Sequence, residues 1–305
     1  MNKLLIVGTV AFDAIETPFG KTDKTLGGSA PYIGLSASQF HVQSAIVSVV
    51  GGDFPKSYLE SFQAHQINTS AIEVIAEEKT FFWSGRYHKN MNARDTITTD
   101  LNVLTKFNPI VPDAFKDAGV VVLGNLAPAN QANVISQLTN PKALIILDTM
   151  NFWMDNALNE LLEVIKRVDV ITINDEEARQ LTGENSLVVA ARKIYEMGPQ
   201  FVVIKKGEHG ALLFNEDKVF SAPALPIETV FDPTGAGDTF AGGFSGHLTK
   251  TNDFSFENMK RALIYGSAMA SFCVEEFGPE RLLNLEESAL AIRLQAFKKL
   301  TQFEL

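Results

Sequence analysis

The sequence predicts an α/β fold: a three-layer, doubly wound, mostly parallel sheet with a small inserted β-sheet lid. Three observations carry that reading. Short runs that are apolar throughout alternate with stretches at helical spacing, as buried parallel strands and their crossover helices do. Two stretches, residues 13–27 and 75–105, break the rhythm. The chain's 305 residues suffice for one core with an insertion, with no need of disulfides or a structural metal.

The candidate strands are residues 4–7, 45–50, 120–123, 144–147, 170–173 and 201–204. Between them, Leu158, Leu161, Leu162 and Ile165 keep helical spacing, as do Val189, Ala190, Ile194 and Met197, which Gly198 and Pro199 terminate. The second break alternates polar and aromatic residues from Thr80 through Phe81, Phe82, Trp83 and Tyr87 to His88, the pattern of exposed hairpin strands. A plain loop of that length and aromatic content is unusual, and both breaks are read as one lid.

Composition narrows the function. A net charge of −10, from 26 basic and 36 acidic residues, argues against a nucleic-acid partner and fits a small-molecule enzyme. The apolar run at residues 4–7 is too short for a signal peptide and nothing approaches a membrane span, so no membrane partner and a cytoplasmic location are expected. The lone Cys273, between Phe272 and Val274, reads as a packed core thiol.

Two phosphate motifs fail. Gly20-Lys21-Thr22 resembles the end of a P-loop, but Ile15 stands where that loop needs glycine. Gly235-Ala236-Gly237 opens like a dinucleotide fingerprint, yet Phe240 occupies the third glycine position. What survives is the run 231–244, a Pro- and Gly-containing loop leading into helical spacing. Its small residues let the backbone approach an anion, while Asp238 in the helix's first turn stands beside any phosphate bound there. A carboxylate so placed can accept the acceptor hydroxyl's proton in phosphoryl transfer; taken alone, it can equally be a helix cap.

The run Asp232-Pro233-Thr234-Gly235-Ala236-Gly237-Asp238 matches the Asp-x-x-Gly-Ala-Gly-Asp signature of the PfkB carbohydrate kinases, also called ribokinase-like. Gly27-Gly28-Ser29-Ala30-Pro31-Tyr32, followed by Val49-Val50-Gly51-Gly52-Asp53, resembles their N-terminal signature, and the resemblance runs over nearly the whole chain. It implies a single ribokinase-like core over residues 1–305, with the lid at 13–27 and 75–105. It implies Asp238 as catalytic base, with Gly235, Ala236 and Gly237 as the anion hole. Asn174 and Glu177, in Asn174-Asp175-Glu176-Glu177, resemble the motif that positions magnesium through water. Asp232 corresponds to a residue that in some members helps hold a monovalent cation, so potassium joins ATP and magnesium among the cofactors implied.

On the nucleotide side the resemblance implies Lys205, Gly207 and Gly210, from the run Lys205-Lys206-Gly207-Glu208-His209-Gly210, and Ser267 on a helix spanning 262–272. Asp13, Gly27 and Gly28 match the substrate-binding positions. Tyr32 replaces the asparagine of many sugar kinases, which sets this chain apart from ribose and fructose enzymes. Asp148 and Asn151 resemble a strand-end segment facing the cleft. The implied activity is transfer of the ATP γ-phosphate to a hydroxymethyl group of a sugar or sugar-like molecule. The alternatives are a nucleoside kinase and a catalytically silent sugar or nucleotide sensor. A lid with an exposed apolar face would also pair two copies as a homodimer.

Overall fold

The computed structural model describes residues 2–302. Its strands run in chain order as β1 Lys3–Val7, β2 Ala11–Thr17, β3 Gly20–Lys21, β4 Thr25–Gly27, β5 Gln43–Gly51, β6 Ile67–Ile75, β7 Phe81–Tyr87, β8 Arg94–Asp100, β9 Val120–Leu123, β10 Leu144–Asp148, β11 Val170–Asn174, β12 Phe201–Lys205, β13 Ala211–Asn215 and β14 Lys218–Ala222. Nine of them form one sheet in the order β14-β13-β12-β11-β10-β9-β1-β5-β6. Pairing is parallel from β6 to β12 and antiparallel only in the edge strands β13 and β14.

Because successive side chains on a strand point to opposite faces, each fully apolar strand feeds two cores. Leu4 and Ile6 pack on one face with the helices Ser29–Ser38, Ala236–Thr251 and Phe256–Cys273, whereas Leu5 and Val7 pack on the other with Leu158–Ile165 and Leu187–Glu196. The result is three layers. The strand order reverses at β1, between β5 and β9, and the carboxyl ends beside such a reversal form the crevice where open α/β sheets bind ligands. No helix among the described residues is long and apolar enough to cross a membrane.

All six expected strands are present, each within three residues of its bounds. Three others were not expected, although β13 opens with the apolar run Ala211-Leu212-Leu213-Phe214. The edge strand β6 alternates buried and exposed residues, and β13 with β14 forms a hairpin turned by Glu216 at φ 46°. Part of the second break thus belongs to the large sheet, since β6 ends at Ile75.

The second sheet, in the order β3-β2-β7-β8 with β4 paired to β2, is separate from the first. Asp53 fastens both of its connections. Its carboxylate accepts hydrogen bonds from the Thr80 amide at 2.8 Å and hydroxyl at 2.7 Å, just before β7, and pairs with Lys24, just before β4, at 3.6 Å. The apolar outer face expected for pairing two copies is not what this sheet carries. Its exposed side chains include the ion pairs Glu16–Arg86 and His88–Asp95, and its exposed large apolar ones, Phe19 and Ile97, stand towards opposite edges.

Candidate active site

The site begins with a chain reversal. Gly235 takes φ 74°, the left-handed conformation, and the helix Ala236–Thr251 starts directly after it. A side chain at 235 would place its Cβ 2.5 Å from the Tyr32 ring, so only glycine lets the loop lie on that tyrosine. Gly235→Ala is expected to cost roughly 2–5 kcal/mol, from the left-handed backbone and the overpacking together. A thermal melt checks this; an unchanged Tm would mean that Tyr32 yields freely.

Asp238 occupies the first turn of that helix. Beneath the loop, Lys205 at the end of β12 brings its Nζ to 3.2 Å from where a Gly237 Cβ would stand. The ammonium also pairs with Asp148 at the end of β10, 3.3 Å from Oδ1 and 3.5 Å from Oδ2. Glu177 arrives from the next strand over. Asn174 caps the helix Asp175–Thr182 by accepting from the Glu177 amide at 2.8 Å, and Glu177 Oε2 accepts from the Asn174 amide at 2.8 Å. This reciprocal capping box fixes the Glu177 backbone and one of its oxygens.

Carboxylates crowd this cleft. Burial, seconded by Asp148, pushes the Asp238 carboxyl up to about 7, with Lys205 and Arg94 pulling the other way. Burial likewise holds Glu177 at about 7, against the pull of Lys205. Asp13 rises to about 7 through burial and the charge of Asp232, opposed by a hydrogen bond from the Gly28 amide. Burial works against the charge of Lys205, but Asp148, Glu177 and Asp238 outweigh it and raise its pKa. Such a set of hard oxygen donors short of positive charge suits a magnesium ion. Among the described residues no three acidic, histidine or cysteine side chains are grouped to hold a metal unaided. A magnesium ion here would therefore share its coordination with phosphate and water.

Asp13 lies in β2 with its carboxyl against Gly27, whose Cβ would fall 2.1 Å from it. Gly28 turns the chain at φ 86° into the helix Ser29–Ser38. Asp232 is buried, its Oδ1 accepting from the Thr234 amide at 2.8 Å and its Oδ2 from the Gly278 amide at 2.9 Å. Cys273 is packed in the core, where burial raises its pKa, and its thiol donates to the Thr234 carbonyl at 3.3 Å.

Other expected residues sit differently. Tyr32 lies under the Gly235 loop at 1 % exposure, its hydroxyl without a hydrogen-bond partner among the described residues. Asn151 is exposed at the start of a short helix, while Asp148 just before it turns inward. Gly210 is buried where a Cβ would meet the Ala222 carbonyl at 2.0 Å, which makes its place one of strand packing. Gly207 is exposed, with Asn92 from the turn between β7 and β8 3.3 Å from its Cβ position. Ser267 is buried on the helix Phe256–Cys273.

Sequence reading missed Arg94. Its charge acts on Asp13, Glu177 and Asp238 alike, although it opens the polar, exposed strand β8. Only its pairing opposite Tyr87 sets it on the cleft side, where the Thr234 hydroxyl donates to the Tyr87 oxygen at 3.1 Å and joins the second sheet to the anion loop. An isolated arginine in a polar strand carries no sequence signal for this.

Known proteins resemble this chain in sequence and in fold. A cytidine kinase of Thermococcus kodakarensis is 29% identical over 250 residues, covering 80% of this chain and 87% of the relative. A nucleoside kinase of Methanothermobacter thermautotrophicus is 27% identical over 319 residues, covering 95% of this chain and 94% of its own. Among solved structures, the nucleoside kinase of Methanocaldococcus jannaschii superposes with a TM-score of 0.78 at 22% identity, over 97% of this chain and 98% of that one. A putative ribokinase II from E. coli in complex with ATP and Mg2+ does so with a TM-score of 0.80 at 19% identity, over 97% and 99%. The family model for the pfkB family carbohydrate kinases matches residues 1–284, and the chain belongs to that family.

Proposed function

We propose that this protein transfers the γ-phosphate of ATP to a hydroxymethyl group of a sugar or sugar-like molecule, with Asp238 as the base. One observation carries the reading: Asp238 stands at a helix N-terminus behind a left-handed glycine, its carboxyl raised to about 7 by burial, with Lys205 beneath the same loop. A base of that pKa is half ionised near neutral pH, where it accepts a proton efficiently. The helix dipole favours negative charge at this N-terminus, where the amides of Gly235 and Gly237 are left to receive it because that of Ala236 donates to the Pro233 carbonyl at 3.2 Å, and Lys205 adds a full positive charge. Asp13, seated against Gly27 and held by the Gly28 amide, binds hydroxyls of the acceptor. Asn174 and Glu177 hold magnesium-bound water, and magnesium, when bound, neutralises phosphate charge. Gly207 and Ser267 lie on the nucleotide side.

The relatives' names and the ATP- and magnesium-bound neighbour support this reading. Residues 13–27 and 75–105 act as a lid on a single core, excluding water from the transfer. A silent sensor would gain nothing from a desolvated Asp238. Potassium would sit beside Asp232, whose oxygens each keep a lone pair after accepting from Thr234 and Gly278.

The test is ATP consumption with magnesium against sugars, sugar phosphates and nucleosides, run in potassium and again in sodium. Turnover of at least one compound is expected. Tight ATP binding with turnover of none would favour the sensor, and equal rates in the two salts would remove potassium from the mechanism.

A further inference from the structure

The lid's cleft face carries an aromatic surface that the transfer chemistry does not use. Strand β2 pairs with β7 so that Asp13 stands directly opposite Trp83, and β7 pairs with β8 so that Tyr87 stands opposite Arg94. Side chains alternate faces along a strand, so Asp13, Trp83, Gly85 and Tyr87 share one face. Trp83 therefore lies beside the carboxylate assigned to the acceptor's hydroxyls.

The indole is laid flat. A Cβ on Gly85 would come within 2.3 Å of Trp83 Cη2 and 2.4 Å of Cζ2, so the ring stretches across the bare backbone of Gly85. Its Nε1 donates to the Thr96 hydroxyl at 3.3 Å, which fixes the ring's rotation. The Arg94 guanidinium lies over the ring, 5.7 Å from its centroid, a spacing wider than direct stacking. One indole face rests on the sheet and the side chain is half-buried, so its other face is what it offers the cleft.

We infer that Trp83, seated by Gly85, is the platform on which a planar aglycone of the acceptor stacks, and that the preferred acceptor is a nucleoside rather than a free sugar. A free sugar fills the position beside Asp13 and leaves the indole uncovered. A base joined to that sugar extends along the sheet and covers it. Stacking on an indole face is tolerant of base identity, so the platform selects for a base more than for one particular base. The inference rests on the kinase reading above, and its test separates the two.

The chain has two tryptophans, so Trp153→Phe leaves Trp83 as the only emitter. Titrating that protein with cytidine, adenosine, inosine and ribose, without ATP, is expected to give saturable quenching with at least one nucleoside and none with ribose. In steady-state kinetics, Trp83→Ala should raise KM for the preferred nucleoside by about 10-fold or more at nearly constant kcat, the scale of one lost base–aromatic stack. KM for ribose should not change, and Trp83→Phe should recover most of the loss. Gly85→Ala, which lifts the indole off the sheet, should act in the same direction as Trp83→Ala. The inference is overturned if no nucleoside quenches more than ribose does, or if Trp83→Ala shifts the KM of ribose and nucleoside equally. Absence of turnover on every compound would sink the kinase reading instead, and the emission titration would still decide the platform.

Discussion

Asp238→Asn is expected to lower kcat/KM by about 10²–10⁴-fold, the usual value of a positioned general base. Amide and carboxyl are nearly isosteric, so the loop geometry at Gly235 should survive and binding of ATP should change little. The wild-type pH profile gives a second reading. The base must be ionised to accept a proton, and burial sets its carboxyl at about 7, so kcat/KM should rise with pH and level off above about 7. In Asp238→Asn that rising limb should vanish. Activity that persists with the limb intact would show that another group takes the proton.

The same substitution should stabilise the protein, and the sign follows from linkage. The Asp238 pKa in the folded state, about 7, lies above its ordinary value of 3.8, so the native protein holds this proton more tightly than the unfolded chain does. The corresponding stability is fully present below about pH 4 and is lost as pH rises through about 7. Asparagine has no such loss. Asp238→Asn should therefore melt a few degrees above wild type at pH 8, and the gap should close towards pH 4. A site held ready for magnesium and phosphate is electrostatically strained without them, and the gap should also shrink when magnesium and ATP are added.

Legibility in the sequence followed the kind of signal each part leaves. The parallel strands were readable because burial on both faces demands unbroken apolar runs such as Leu4 to Val7. β6 was not, since an edge strand with one open face spells Ile67-Asn68-Thr69-Ser70, which looks like a loop. The anion loop was readable because a left-handed turn against Tyr32 admits only glycine at 235, and the backbone constraint is written in the residue itself. Arg94 was opaque as a site residue, and Trp83 stood out only as one member of an aromatic alternation, for the opposite reason. What brings them to Asp13 is strand register, Tyr87 against Arg94 across a short hairpin and Asp13 against Trp83 between segments some seventy residues apart, and that long-range pairing leaves no local trace. Tyr32 shows the converse error: its position matched a substrate residue of related kinases, but its ring serves as the floor of the loop.

The sequence resemblance points to Lys205 rather than its neighbour Lys206, and the structure separates the two sharply enough to predict opposite outcomes. Lys205 is the cation against which Asp148, Glu177 and Asp238 balance, with a side chain 16 % exposed. Lys206 contributes its backbone amide to the Gly210 carbonyl at 2.7 Å. Lys205→Met keeps the apolar stem and deletes the charge. Transition-state charge then loses a fixed positive partner in a desolvated site, so kcat/KM should fall by about 10²–10³-fold. The carboxyls lose the neighbour that lowers the pKa of Asp238 and Glu177, so the acid limb of the profile should move to higher pH. Lys206→Met should stay within about 2-fold of wild type, as surface changes away from such features do. An acid limb that stays in place in Lys205→Met would mean that the ammonium does not hold these carboxylates in solution, and that Arg94, the other cation acting on Asp238, carries the balance instead.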